Sequence, residues 1–207
     1  MNKSGNKQTD HGSSLSFERV AFFSDAVFAI AITLLVIDLR LPHLESASDT
    51  ALINGLLGLI PQYVGFFVSF FVIGRFWIGH HQLFALIKRA DDTFVWRNLL
   101  LLLSIAFMPF PTAVVGEFAG ISAGVCFYAL WLAFAGWQNL RLVQYAQGRL
   151  AAPGADKELT IMVRNAWLPI AIGLATFALG LFAPLLALVP LIASPLIVKL
   201  SHRYFGG

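Results

Sequence analysis

The chain alternates between long apolar stretches and short polar connections. Six stretches are long enough to cross roughly 30 Å of hydrocarbon as helices. Their apolar positions are continuous rather than alternating, which favours helices over the strands of a membrane barrel. They lie at Val20–Leu39, Ile53–Ile78, Phe94–Ala113, Phe118–Leu142, Trp167–Phe182 and Leu185–Leu200. The pattern therefore predicts an all-α membrane protein with six transmembrane helices.

Composition supports this class. Hydrophobic residues make up 58% of the 207 residues and charged residues only 12%, whereas a soluble domain carries about 25% charged residues. The length is that of one domain. We expect a six-helix membrane domain at residues 17–203, a polar and disordered cytoplasmic tail at 1–16, and a short tail at 204–207.

The basic residues predict the orientation. If the six helices alternate in direction, every lysine and arginine except Arg40 and Arg75 lies on or next to one face of the membrane. The positive-inside rule makes that face cytoplasmic, and an even number of spans puts both termini there. We therefore expect a multi-pass protein of the cell membrane, with the lipid bilayer as a partner. The formal net charge of +3 follows from this topology, and no nucleic acid partner is expected.

Polar residues of the first three predicted spans gather at one depth near the cytoplasmic face. Ionisable groups inside a bilayer are costly and are normally paired. A network that locks the helices together, a proton pathway and a metal site are all open interpretations. Neighbouring histidines point about 100° apart on a helix and do not face one ion, so we expect no metal. The residues of this layer are Arg19, Phe23, Ser24, Asp25, Trp77, His80, His81 and Asn98.

Other chemistry has few candidate residues. The sequence has no Ser-His-Asp set, no glycine-rich phosphate loop and no paired catalytic carboxylates, so we expect neither an enzyme nor a cofactor. The single Cys126 excludes an intrachain disulfide and a redox motif. Gly116, Gly120 and Gly124 predict a small-residue face, suited to close helix contact, at the start of the fourth helix.

Motifs in the first half of the chain resemble a known family. Arg19-x-x-x-Phe23-Ser24-Asp25, followed by an apolar run, resembles the signature of the transmembrane protein 175 family of potassium channels in its prokaryotic six-helix form. Two further stretches resemble that family's second and third helices, and the likeness covers about residues 17–115. These stretches are Phe76-Trp77-x-x-His80-His81-x-x-Phe84, and Trp96-x-Asn98 with Pro109-Phe110-x-Thr112.

The resemblance implies a homotetramer whose first helices line a central pore, with potassium as the permeant ion. The sequence carries one repeat, so four copies would close the ring. It also has no stretch like the Thr-Val-Gly-Tyr-Gly filter of ordinary potassium channels. The family therefore implies selectivity without a filter of backbone carbonyls.

The first helix carries one apolar stripe, because Phe23, Val27, Ile30, Leu34 and Ile37 recur at spacings of four and three. On the residues alone, this stripe is typical of ordinary helix packing. The resemblance implies instead that Ile30, Leu34 and Ile37 form the pore constrictions. Rings of branched aliphatic side chains gate a channel by excluding water until the walls part.

Two polar residues of the first helix are candidates for ion handling. Thr33 is a candidate for selectivity, in competition with a hydrogen bond to its own i−4 carbonyl. Asp38 at the outer mouth either concentrates cations electrostatically or is a solvated helix end.

The predicted function is passive conduction of potassium by a modestly selective cation channel. The alternative is a proton-coupled secondary transporter of ions or small solutes that uses Asp25 with His80 or His81. Transporters of that class usually have internal repeats and broken helices, which are not evident in the sequence. A membrane scaffold without transport activity is a third interpretation of the polar layer.

Overall fold

The protein is mainly helical, with short connections, in the part of the chain that the computed structural model describes. That part comprises residues 7–44 and 46–193, with side chains from Phe17 onward. It contains no β-strand, so the prediction of an all-α protein is confirmed for these residues. In chain order the helices are α1 Lys7–Leu34, α2 Asp49–Gly58, α3 Ile60–Ala85, α4 Asp92–Ala106, α5 Pro109–Glu117, α6 Ser122–Arg149, α7 Asp156–Asn165 and α8 Leu168–Gly180.

Helix α1 begins at Lys7, within the segment predicted to be a disordered tail, and it tightens into a 3-10 turn at Leu35–Asp38. One stripe of the helix is buried, with Ser24, Phe28, Ala31 and Leu35 all at most 1% exposed. Their spacings of four, three and four place them on one side. The opposite side of α1 packs against no other described helix, so the apolar part of α1 beyond Asp25 has two distinct faces.

The second predicted span divides into two helices. Ser48 caps α2 by accepting a hydrogen bond from the Ala51 N–H, and α2 ends at Gly58. Helix α3 starts at Ile60 with Pro61 in its first turn, where a proline has no hydrogen bond to lose. The predicted boundaries of this span, Ile53–Ile78, were therefore too early along the chain at both ends.

A break also divides the third predicted span. Asp91 caps α4 by accepting from the Phe94 N–H, and the helix ends at Ala106. Helix α5 then starts at Pro109. Met108, the residue before Pro109, keeps a helical backbone conformation, but Pro109 cannot donate to a preceding carbonyl. The helix is therefore interrupted at this point while the chain remains inside one apolar stretch.

Helix α6 is the central element of the second half. It packs against α4 and α5 on one side, and most extensively against α8 on the other. Glycines permit the close approach of α6 and α8. A Cβ at Gly173 would lie 2.7 Å from the Ala129 carbonyl oxygen and 2.8 Å from the Ala133 nitrogen. Helix α6 begins only at Ser122, so the predicted glycine face is wrong in its location. Gly116 belongs to α5 and approaches Gln62 of α3 instead.

Among the described residues, four helical stretches are long and apolar enough to cross a membrane. They are Phe17–Asp38, Ile60–Ala85, Asp92–Glu117 and Asp156–Gly180. The long helix α6 is not among them, since Gln138, Asn139 and Arg141 lower the hydropathy of its second half. Residues 185–187 form turns and residues 188–193 are helical, whereas residues 194–200 of the predicted span Leu185–Leu200 lie outside the described residues. The coarse class, an all-helical membrane protein, is thus supported.

The α6–α8 contact yields a stability prediction. Gly173→Ala should destabilise the protein by about 1–3 kcal/mol, because the new methyl group overlaps backbone atoms that cannot move aside easily. The matched control is Gly148→Ala on α6, whose Cβ would meet no atom within 4 Å. It should be neutral or stabilising by up to about 1 kcal/mol. Thermal unfolding midpoints in detergent measure both. Equal midpoints for the two variants would contradict the close packing.

Candidate functional site: the α1–α3–α4 polar layer

A chain of hydrogen bonds joins α1, α3 and α4. The Asn98 amide nitrogen Nδ2 donates to Ser24 Oγ at 2.9 Å, and Ser24 Oγ donates to the Val20 carbonyl oxygen at 2.8 Å. On the other side, Asn98 Oδ1 lies 2.8 Å from His80 Nε2. Since an amide oxygen only accepts, His80 Nε2 carries the hydrogen and donates. One asparagine therefore links the three helices.

The three side chains of this hydrogen-bond chain are buried. Ser24, His80 and Asn98 are each at most 2% exposed. The His80 ring lies between Phe28, at 5.3 Å between centroids, and Phe84, at 4.6 Å. Buried polar groups are stable only when hydrogen-bonded, so removing one partner leaves an unsatisfied donor or acceptor. The arrangement fixes the rotation of α1 about its own axis.

A second hydrogen bond joins α1 and α3 at the surface of the subunit. Trp77 Nε1 donates to Asp25 Oδ1 at 2.9 Å, and the Trp77 ring is 40% exposed. Asp25 follows Ser24 in sequence and is therefore directed toward a different side of α1. Ser24 thus makes a buried contact with α4, and Asp25 makes an exposed contact with α3.

Three predicted members of the layer stand apart from these contacts. Arg19 and Phe23 are exposed on α1, and His81 is exposed on α3. The His81 ring lies 6.0 Å from the ring of Trp77. The predicted layer is therefore divided into a buried chain, an exposed pair and three exposed side chains.

The open face of α1 carries the predicted constriction residues. Ile30 is 58% exposed, Leu34 39% and Ile37 65%. Thr33 lies exposed beside them, and its hydroxyl donates to the carbonyl oxygens of Ala29 at 3.1 Å and Ile30 at 2.9 Å. Exposed aliphatic side chains at helical spacing form a continuous apolar surface, which is the kind that marks an interaction face.

Sequence reasoning missed a second buried polar cluster between α3, α5 and α6. Thr112 Oγ1 lies 2.7 Å from Ser69 Oγ, and Ser69 Oγ lies 3.1 Å from the Tyr128 hydroxyl. Thr112 also bonds the Met108 carbonyl oxygen. A tyrosine in the middle of a predicted span was the available signal, because a buried hydroxyl needs a partner.

The sequence did not predict a further polar cluster, which lies at the other end of α6. The Asp91 carboxylate accepts from the Tyr145 hydroxyl at 2.7 Å and from the Phe94 N–H at 2.8 Å. Desolvation raises the pKa of Asp91, but these two hydrogen bonds and the charges of Arg89 and Arg149 lower it more, so the pKa lies below its usual value. This carboxylate fastens the α3–α4 connection to α6.

Across residues 7–44 and 46–193, no group of three or more His, Cys, Asp or Glu residues is close enough together to hold an ion. His80 uses Nε2 for Asn98, and His81 is directed away from it.

Comparison with known proteins assigns the family. The family model described as "Endosomal/lysosomal potassium channel TMEM175" matches residues 19–109, which include every residue of the polar layer. A potassium channel of Chamaesiphon minutus is 40% identical over 146 residues, which cover 67% of this chain and 71% of that protein. A potassium channel of Streptomyces collinus is 33% identical over 174 residues, which cover 76% of this chain and 81% of that protein.

A solved structure agrees in fold as well as in sequence. The crystal structure of a lysosomal potassium-selective channel TMEM175 homolog from Chamaesiphon minutus superposes with a TM-score of 0.79 at 30% identity. The superposition covers 89% of this chain and 97% of that one. On the relatives' identity and coverage, this chain belongs to the TMEM175 family of channels.

Proposed function

We propose that this chain conducts potassium passively across a membrane as a modestly selective cation channel. Both bacterial relatives carry the name potassium channel, and the structural neighbour is titled potassium-selective. The observation that carries the proposal is the division of α1 into one face locked to α3 and α4 and one open apolar face. A helix held in this way can serve as a pore wall.

We infer a homotetramer in which the open faces of four α1 helices surround a common axis. The open face is continuous from Phe23 through Ile30 to Ile37, and lipid or another copy must cover it. Copies that meet there would enclose a narrow passage. Because each chain supplies only one such helix, the passage requires several copies.

The membrane topology proposed is six spans, with both termini in the cytoplasm and the chain in the cell membrane. Four candidate spans, the long helix α6 and the helical residues 188–193 support this count.

The proposed gate consists of aliphatic rings at Ile30, Leu34 and Ile37. Their spacing of four and three stacks them along one side of the helix and its final turn. Rings of this kind resist wetting, and ions cross only when the walls part. The buried hydrogen bonds of Ser24 keep α1 from rotating these side chains away from the axis.

We assign the ion preference to Thr33 and the electrostatic attraction of cations to Asp38. The Thr33 hydroxyl spends its hydrogen on backbone carbonyls, and its oxygen keeps lone pairs that can face a passing cation. Four such oxygens would form a weak ring of ligands beside the apolar constrictions. Asp38 ends the last turn, where its charge would attract cations.

Widening the proposed gate should raise conduction. Ile30→Asn replaces an exposed branched aliphatic side chain with a polar amide of smaller volume. Lowering the barrier by ~1.4 kcal/mol would raise potassium flux about tenfold. The measurement is potassium efflux from liposomes that contain the purified protein, with sodium as the second ion. Leu174→Asn is the matched control, because it makes a similar change at an exposed position on α8, and its flux should equal that of the parent.

Two results would contradict the proposal. Flux that is unchanged by Ile30→Asn but raised by Leu174→Asn would remove α1 from the pore. Flux that requires a proton gradient would favour coupled transport instead.

Breaking the buried hydrogen-bond chain should lower the stability of the protein and of its oligomer, and should leave the ion preference unchanged. Asn98→Leu leaves the buried His80 Nε2–H without an acceptor, which should cost about 1–3 kcal/mol of stability. Asn54→Leu makes the same change at an exposed position on α2 and should have little effect. Thermal midpoints and elution profiles report stability, and liposome flux reports ion preference. A changed potassium-to-sodium ratio at unchanged stability would show that Asn98 acts in selectivity.

A further inference from the structure

Two arginines near the inner ends of α4 and α6 are stacked on aromatic rings. Arg141 Cζ lies 4.9 Å from the ring centroid of Trp137, and Arg97 Cζ lies 4.8 Å from that of Tyr145. Both rings belong to α6, one turn before and one turn after Arg141. Cation–π contacts hold a planar guanidinium in a defined orientation, so both charges have fixed positions.

Most hydrogen-bond donors of this pair remain available. A guanidinium has five N–H donors. Arg97 uses one of them, from Nη1 to the Arg141 carbonyl oxygen at 3.1 Å. Within the described ranges, Arg141 donates no side-chain hydrogen bond, and neither arginine lies in an ion pair. An anion from outside the chain would find two oriented donor groups.

The nearby carboxylate does not neutralise them. One Asp91 oxygen accepts from the Phe94 N–H, and the other accepts from the Tyr145 hydroxyl. Arg89 and Arg149 are close enough to act on the same carboxylate through their charges. This end of the bundle therefore holds more arginine than carboxylate, and its surplus of positive charge is complementary to an anion.

The aromatic rings indicate the depth of the pair. Trp137 is 45% exposed, and Trp96, adjacent to Arg97, is 69% exposed. Exposed tryptophans concentrate where the hydrocarbon meets the lipid headgroups. The Arg141 guanidinium lies beside Trp137, four residues or about 6 Å toward the start of α6. In the proposed orientation that direction leads into the membrane. Lipid phosphates reach this depth more readily than an acidic segment of a soluble protein does.

We propose that Arg141, held against Trp137, binds the phosphate headgroup of an anionic phospholipid in the inner leaflet, with Arg97 adding positive charge nearby. Planar guanidinium groups pair with phosphate oxygens through two parallel hydrogen bonds. Basic pockets between membrane helices on the cytoplasmic side bind anionic headgroups for this reason. Only the choice of leaflet rests on the proposed function, through its orientation, and the site itself does not require potassium conduction.

Native mass spectrometry of the purified full chain tests this site. The protein is titrated with phosphatidylglycerol and, separately, with phosphatidylcholine that has the same acyl chains. The parent should bind phosphatidylglycerol more tightly. Arg141→Gln should lower that preference roughly fivefold, since one basic residue contributes about that factor at a membrane surface. Arg40→Gln, an exposed arginine outside this cluster, is the matched control and should keep the full preference.

Each outcome of the lipid titration either supports or contradicts the proposed lipid site. Equal binding of the two lipids by the parent, or full preference in Arg141→Gln, would overturn the site. Displacement of the lipid by inorganic phosphate alone would assign a free-anion site instead and would also overturn the proposal. If Arg141→Gln aggregates, Trp137→Leu replaces it. That variant keeps the charge but loses the stacking, and retained preference would contradict the proposal. Liposome flux is measured in parallel, so a failure of the channel and a failure of the lipid site are distinguishable.

Discussion

The hydrogen-bond chain from His80 through Asn98 to Ser24 is the constraint on which the rest of the structure depends. Beyond Asp25, helix α1 is apolar on every side except at Thr33, and lipid solvates an apolar side chain as well as a neighbouring helix does. Apolar burial alone therefore cannot choose the rotation of α1, whereas a buried amide that needs both its donor and its acceptor can. The family signature is best understood as the means by which an oily helix is held at one angle.

The rotation of α1 about its own axis determines which of its side chains remain exposed. With Ser24 and Phe28 turned inward, Ile30 and Ile37 are turned outward, and the proposed pore would need a continuous passage at that face. Trp77 and Asp25 add a second link nearer the surface of the subunit. Structure and proposed conduction are thus connected by one feature, because the interaction that stabilises the subunit also orients the constriction.

The sequence predicted the helical class, because hydropathy is a strong local signal. Of the eight residues expected in the polar layer, the structure joins five by hydrogen bonds and leaves Arg19, Phe23 and His81 apart from them. The sequence did not predict the break before Pro61, since proline is compatible with both a kink and a new helix start. The position of Gly116 was also wrong, because a small-residue pattern does not reveal which helix contains it. The stacking of Arg141 on Trp137 depends on side-chain rotamers and tertiary packing. Residue spacing in the sequence therefore did not predict it.

Disulfide cross-linking between copies tests the central claim most directly. Cys126 is the single cysteine and is buried, so Cys126→Ala provides the background for two single-cysteine proteins. In native membranes, Ile30→Cys should form covalent dimers rapidly on oxidation, because neighbouring copies meet at that face of α1. Leu174→Cys on α8 should remain monomeric. Efficient cross-linking at position 174 with none at position 30 would mean that α1 faces lipid, and it would contradict the account.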